Sequence, residues 1–163
     1  MPLPFRLARL RLRPLIGLGL LVAGLLAAGP AAAQAERILA FRSHVTVHPD
    51  SSLTVTETIA VEATGREIKR GIVRDFPTRY RDRFGGFVRV GFQILGIRRD
   101  GASEPYHTEA TREGVRIFIG RSDVFLKRGR YTYEIRYRTD RQLGFFEDYD
   151  ELYWNVTGNE WTF

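Results

Sequence analysis

The sequence contains no cysteine among its 163 residues. This absence excludes disulfide bonds, thiolate metal ligands, a cysteine nucleophile and lipid attachment at a processed N-terminal cysteine. The sequence also has no Gly-x-Ser-x-Gly motif, the turn that presents the nucleophile of α/β-hydrolases. After residue 35, no stretch has the 3.6-residue apolar period of an amphipathic helix. The residue pattern therefore disfavours the common nucleophilic enzymes and helical folds.

Strong net charge is missing from most of the chain, although the formal net charge is +6. Four of the 25 basic residues and none of the 19 acidic residues lie before residue 36, so the rest is close to charge balance. Nucleic-acid-binding domains carry a basic footprint on the folded domain. The charge distribution therefore removes nucleic acid from the expected partners.

The early arginines belong to a secretory signal peptide that the sequence predicts over residues 1–35. They precede an apolar run over residues 15–28, which Gly29 and Pro30 end, and small residues follow up to Ala35. Basic, apolar and small-residue regions in this order are typical of a cleaved signal peptide. A membrane-spanning helix needs about 20 apolar residues, more than this run supplies. The short run therefore favours a cleaved signal peptide, and a retained membrane anchor is the alternative. We expect export, with cleavage after Ala33 or Ala35.

Residues 36–163 are predicted to form one β-domain. Apolar and polar residues alternate with the two-residue period of half-buried strands over five stretches: 38–48, 53–61, 87–98, 115–119 and 131–139. Turn-forming residues separate these stretches, and residues 152–156 are predicted as the last strand. The pattern predicts an all-β antiparallel β-sandwich of about seven to eight strands, with a partly closed barrel as the alternative.

Two charged segments interrupt this pattern. Residues 63–86 are rich in arginine and lack a sustained period, which predicts a long loop with one short strand around residues 71–76. Residues 147–151 hold four carboxylates, and both tryptophans of the chain follow them. Arginine forks suit carboxylates, so we expect the two segments to meet in a structural or binding seam. In this seam Arg70 and Arg74 would approach Asp150 and Glu151, and its predicted members are Arg70, Arg74, Asp148, Asp150, Glu151, Trp154 and Trp161.

Four segments of the sequence together resemble a known family. They are DSSLTVTET at 50–58, KRGIVRDFP at 69–77, GRYTYEIRY at 129–137 and DELYWNVTG at 150–158, closing on Trp161. In this order they resemble the N-terminal extracytoplasmic domain of the YciQ-like predicted membrane proteins, a domain of unknown function. The resemblance implies a signal peptide, an exported β-domain and then transmembrane helices. Because this sequence stops at Phe163, we expect it to be truncated, with its membrane anchor in a missing part.

The expected function is that of an interaction or sensing module at the cell envelope, not of an enzyme. The resemblance offers no catalytic residues, and the residues suggest no cofactor. The expected partners are an envelope protein, a glycan or the membrane surface. The expected location is extracytoplasmic, with membrane association if the chain continues past Phe163. The alternative is an envelope hydrolase or cation-dependent enzyme that uses the acidic cluster at 147–151, because paired carboxylates can serve glycoside hydrolysis and clustered oxygens can bind calcium.

Overall fold

A computed structural model describes residues 35–81, 85–152, 154 and 156. The predicted signal peptide, apart from Ala35, and Trp161 lie outside these residues. The described residues form twelve β-strands and include no helix that is long and apolar enough to cross a membrane. The strands are β1 (Arg37–Val47), β2 (Leu53–Ala63), β3 (Gly71–Pro77), β4 (Arg79–Arg81), β5 (Phe87–Arg89), β6 (Phe92–Arg99), β7 (Ala102–Ser103), β8 (Tyr106–Ala110), β9 (Gly114–Gly120), β10 (Gly129–Thr139), β11 (Leu143–Phe145) and β12 (Asp150–Leu152).

The strands pair antiparallel in two main sheets and two hairpins. The larger sheet has the order β1-β2-β10-β6-β7, and the smaller sheet has the order β3-β9-β8. Strands β4 and β5 pair with each other, as do β11 and β12. The predicted all-β antiparallel class is therefore confirmed.

One hydrophobic core receives side chains from both main sheets. Alternate residues of β2, β10, β3 and β9 face this core because successive side chains of a strand point to opposite faces. Burying each such aliphatic or aromatic side chain contributes about 1.5–3 kcal/mol. The core residues on these four strands include Leu53, Val55, Ile59, Val61, Ile135, Tyr137, Ile72, Phe76, Ile117 and Ile119.

The structure has more strands than the seven to eight predicted from the sequence. Five of the twelve, β4, β5, β7, β11 and β12, are only two or three residues long, which is too short to show a period of two. The remaining seven contain five or more residues. The alternation in the sequence therefore found β1, β2, β6, β9 and β10 among the longer strands, and it did not show β4, β7, β11 or β12.

The arginine-rich segment 63–86 contains more regular structure than the predicted long loop. The short strand expected at 71–76 is present as β3, and the unpredicted strand β4 follows it. Strand β3 has alternating buried and exposed residues, with Ile72, Arg74 and Phe76 facing inward. The apolar period was hidden because an arginine occupies one of the inward positions.

The predicted last strand at 152–156 lies earlier in the structure. Strand β12 covers Asp150–Leu152, so two of the acidic residues belong to the strand itself and not to a turn before it. Beyond Leu152, only Trp154 and Val156 are described, and neither lies in a strand. Asp and Glu are depleted in strands, so the acids of β12 conceal the strand in the sequence.

Glu36 ties the start of β1 to the loop that follows β2. Its carboxylate accepts hydrogen bonds from the backbone N–H groups of Thr64 (2.8 Å), Arg66 (3.0 Å), Glu67 and Ile68 (3.0 Å). Burial alone would raise the pKa of Glu36, but these N–H groups outweigh it and lower the pKa from 4.5 to about 2. The ionised carboxylate therefore holds the loop against β1.

This arrangement predicts how stability depends on pH. A carboxyl whose pKa is lower in the folded state stabilises the fold above its unfolded pKa, and this stabilisation is lost as the pH falls through the folded pKa. We expect Glu36→Gln to have a lower melting temperature than the wild type at pH 7. The difference in melting temperature should disappear as the pH falls from 4.5 to about 2. Thermal melts across this range measure it. The control Glu113→Gln, at an exposed position, should track the wild type, and a gap that stays constant with pH would contradict the role of Glu36.

Candidate functional site

A carboxylate lies in the middle of the apolar face of β2. Glu57 falls between Val55 and Ile59 on the inward side of the strand, and its side chain is fully buried. An unpaired buried charge costs several kcal/mol, so this position requires a cation and further hydrogen-bond donors. The structure supplies both, from a neighbouring strand and from the opposite sheet.

Arg74 provides the cation from the inward face of β3. Its Nε donates to Glu57 Oε2 at 2.9 Å and its Nη2 donates to Glu57 Oε1 at 3.0 Å, a two-pronged ion pair. Its Nη1 donates to the backbone carbonyl of Asp75 at 2.7 Å. Because β2 belongs to the larger sheet and β3 to the smaller one, this ion pair connects the two sheets through the core.

Tyr137 completes the buried cluster from β10. Its hydroxyl donates to Glu57 Oε1 at 2.7 Å, and its side chain is buried. Burial and the neighbouring negative charge of Glu57 raise the pKa of Tyr137, so the hydroxyl keeps its proton and acts as a donor. Burial lowers the pKa of Arg74, but its hydrogen bonds to Glu57 outweigh this and raise it overall. Glu57, Arg74 and Tyr137 therefore form a charged and hydrogen-bonded unit.

Aromatic rings surround this unit on one side. The Phe76 ring lies 4.2 Å from the Phe92 ring and 5.0 Å from the Tyr137 ring, measured between centroids. The Trp154 ring packs 6.2 Å from Phe76 and 6.5 Å from Tyr137. Such apolar rings exclude water from the ion pair, and Trp154, two residues after β12, packs against the core.

Two hairpins leave the core beside these rings. At one end of the larger sheet, Phe92 at the start of β6 pairs with Thr139 at the end of β10. The β4–β5 hairpin ends three residues before Phe92 and the β11–β12 hairpin begins four residues after Thr139. Their bases are joined because Arg141 Nη1 donates to the Arg89 carbonyl at 3.0 Å. Both hairpins therefore project from the same end of the domain.

Exposed aromatic side chains mark both hairpins. Phe145 is 64% exposed, Tyr149 is 59% exposed and Phe87 is 55% exposed. The rings of Phe146 and Tyr149 stack at 4.8 Å across the turn of the β11–β12 hairpin. Large exposed apolar side chains that cluster on a domain are typical of an interaction surface.

Comparison with known sequences places the chain in a family. The sequence model of the predicted membrane protein (DUF2207) N-terminal domain matches residues 37–163. The chain belongs to this family. It is also 35% identical over 128 residues to the uncharacterized protein YciQ of Escherichia coli (strain K12), a match that covers 78% of this chain. The chain spans about a fifth of the length of that relative, and no solved structure matches it.

The buried cluster of Glu57, Arg74 and Tyr137 is built from the segments in which the sequence resembles the family. The segments at 50–58, 69–77 and 129–137 supply its three members, Glu57, Arg74 and Tyr137 respectively. The segment at 150–158 supplies Trp154, whose ring packs beside Tyr137. The segments lie far apart in sequence, and the fold brings these four side chains together. This juxtaposition gives the resemblance a physical basis in the core of the domain.

The residues of the predicted seam that the structure describes lie in several different environments. Arg74 pairs with Glu57, and the guanidinium of Arg70 lies 4.1 Å from the Phe125 ring centroid. Trp154 is partly buried and packs against the core. Asp150 and Glu151 are exposed on β12, and Asp148 is exposed in the turn before it.

Sequence reasoning missed Glu57 as the partner of Arg74. The available signal was the single acid within the alternating apolar residues of β2, a position that cannot be solvated. Among the described residues, no group of three or more His, Cys, Asp or Glu side chains is placed to hold a metal ion. The use of the acids at 147–151 by a hydrolase or cation-dependent enzyme stays a prediction.

Proposed function

We propose that the domain is an interaction or sensing module on the extracytoplasmic side of a membrane protein. In this proposal the partner binds at the end of the domain from which the β4–β5 and β11–β12 hairpins project. The observation that carries the proposal is the group of exposed aromatic side chains on these two hairpins. Aromatic residues are enriched in protein interfaces, where a few of them supply most of the binding energy.

The buried cluster supports this role by fixing the base of the surface. Trp154, two residues beyond β12, packs against Phe76 and Tyr137, so one hairpin is anchored to the ring cluster. Arg141 links the start of that hairpin to the end of the other. A binding surface on a rigid base loses less conformational entropy when the partner docks. The predicted signal peptide and the description of the family as membrane proteins support placement at the envelope.

Site-specific photocrosslinking tests the proposed surface. A photoreactive phenylalanine analogue at Phe145 should form covalent adducts in cells that produce the protein, because this side chain would contact the partner. The matched control is the same analogue at Phe125, which is also 64% exposed but lies in the loop before β10, at the other end of the larger sheet. Adducts are measured as shifted bands on denaturing gels and identified by mass spectrometry.

The comparison between the two positions decides the result. Adducts at Phe145 that are absent at Phe125 support the proposed surface. Equal labelling at both positions, or no labelling at Phe145, would show that the exposed aromatics of the hairpins are not a binding surface. Because both side chains are exposed, neither substitution is expected to alter folding.

A further inference from the structure

The β4–β5 hairpin concentrates positive charge on one side of a two-stranded ribbon. Arg79 lies directly opposite Arg89, and Arg81 lies directly opposite Phe87. The guanidinium groups of Arg79 and Arg81 are 3.9 Å and 5.1 Å from the centroid of the Phe87 ring. Like charges directly opposite each other destabilise a strand pair, so this arrangement costs stability in the isolated chain.

The β11–β12 hairpin concentrates the opposite charge. Four carboxylates lie on its turn and second strand, and their residues are all exposed: Glu147, Asp148, Asp150 and Glu151. Exposed aromatic rings accompany them, as Phe87 accompanies the arginines of the other hairpin. The two hairpins thus have similar apolar character and opposite charge.

Neither set of charges is neutralised within the part of the chain that the structure describes. The ion pairs between described residues connect other side chains, such as Arg116 with Asp75 and Arg138 with Asp50. None includes Arg79, Arg81 or Arg89, and none includes an acid of the β11–β12 hairpin. Two adjacent charge arrays of opposite sign therefore remain available to a partner.

We infer that the partner which fits this surface is a second copy of the same chain. A two-fold axis that relates two copies places the β4–β5 hairpin of one against the β11–β12 hairpin of the other, and the reverse contact forms at the same time. Three arginines then face four carboxylates twice in the dimer, and exposed aromatic rings lie at both contacts. This inference rests on the proposed function, because it names the partner of the proposed surface.

The charge pattern favours a second copy over a membrane surface. Anionic lipids would attract the arginines of the β4–β5 hairpin, at about 1 kcal/mol for each residue near the surface. They would repel the four carboxylates that project from the same end of the domain. Only a partner that carries both positive and negative charge can pair with both hairpins, and a second copy carries both because it has the same two hairpins.

Charge reversal tests the dimer directly. The first variant, Arg79→Glu/Arg81→Glu/Arg89→Glu, and the second, Asp148→Lys/Asp150→Lys/Glu151→Lys, each place like charges against each other in a dimer. We expect the purified wild-type chain to sediment as a dimer at low salt and each variant to sediment as a monomer. A mixture of the two variants should regain the dimer mass. In a mixed dimer the two reversed hairpins complement each other in one contact, and the two unreversed hairpins complement each other in the other.

The matched control and the remaining outcomes make the test decisive. The control Arg66→Glu/Lys127→Glu/Arg128→Glu changes the net charge by the same amount as the arginine variant. Its exposed positions lie at the other end of the larger sheet, so it should leave the dimer intact. Dimer mass should fall when the salt concentration rises from about 0.05 M to about 0.5 M, because screening weakens the contacts, whereas association through apolar segments would strengthen. A monomeric wild type, or variants that fail to restore the dimer on mixing, would overturn the inference.

Two further results separate this inference from the proposed function. Adducts from Phe145 to a different protein, with a monomeric wild type, would keep the proposed surface and overturn self-association. Flotation of the wild-type chain with vesicles of phosphatidylglycerol, lost in the arginine variant, would identify an anionic membrane as the partner instead. Thermal melts of every variant show whether the fold is retained, so a loss of association can be assigned to the surface.

Discussion

Replacement of Arg74 by Met is expected to destabilise the domain by about 3–5 kcal/mol, because it leaves the buried carboxylate of Glu57 without its cation. Met has a similar length and no charge, so the core keeps most of its packing. The structural reason for the large effect is that Glu57 is fully buried and accepts both of its arginine hydrogen bonds from this one residue. In a domain of this size the melting temperature should fall by about 10 °C or more.

A combined replacement should recover much of this loss. Substitution of a buried ion pair by apolar residues of similar volume is often neutral or stabilising, although removal of one partner is costly. We therefore expect Glu57→Leu/Arg74→Met to be more stable than Arg74→Met alone. The double variant leaves the hydroxyl of Tyr137 without its acceptor, at a cost of about 1–3 kcal/mol. Addition of Tyr137→Phe should remove that cost.

The second ion pair of β3 provides the control. Arg116 on β9 donates two hydrogen bonds of 2.7 Å to the carboxylate of Asp75, in the same geometry as the buried pair. Its side chains are 45% and 56% exposed, so Arg116→Met should cost only about 0–1 kcal/mol. Chemical denaturation of both variants measures the difference. Equal losses for Arg74→Met and Arg116→Met would show that the buried pair has no special role.

The long strands could be predicted from the sequence because their pattern is local. Tyr131 to Thr139 alternates without interruption, and the structure places β10 at the centre of the larger sheet. The stretch predicted as one strand over 87–98 is interrupted, because the structure has a break at Gly91, before Phe92, and a register shift next to Gly96. Glycine marks such irregularities because it accepts backbone conformations and close contacts that other residues do not.

The buried cluster could be predicted only in part. Residue 57 could be assigned to the inward face of β2 from its position between Val55 and Ile59, and this implied a buried acid. Its partner depends on how β3 packs over β2, which involves residues distant in sequence and leaves no periodic signal. On the ground of opposite charge, the sequence predicts that Arg74 pairs with Asp150 and Glu151. Opposite charge alone does not identify a partner, so this prediction missed Glu57.

The hairpins were harder to predict because their strands are too short for a period. Strands β4, β5, β11 and β12 have three residues each, and most of these residues are exposed. Their sequences therefore lack the apolar alternation that burial imposes on longer strands. The same exposure allows these segments to carry aromatic and charged residues for a partner, so weak structural signal and proposed function have one origin.

Replacement of Gly71 by Ala is expected to destabilise the domain by about 3 kcal/mol or more, since it combines backbone strain with a clash inside a strand pair. Gly71 has a φ of +153° and lies opposite Gly120, which has a φ of +130°, in the β3–β9 pair. A Cβ at residue 71 would lie 1.7 Å from the carbonyl oxygen of Ile119, a backbone atom that cannot rotate away.

The position of Gly71 makes this change affect the buried cluster as well. The start of β3 must shift to relieve the clash, and Arg74 lies only three residues further along that strand. We therefore expect Gly71→Ala to weaken the Glu57–Arg74 pair, so that Arg74→Met costs less in this background than in the wild type. The control is Gly96→Ala in β6, where an added Cβ meets no atom within 4 Å and the change should stay within about 0.5 kcal/mol. Additive losses for Gly71→Ala and Arg74→Met would mean that β3 absorbs the clash without moving its arginine.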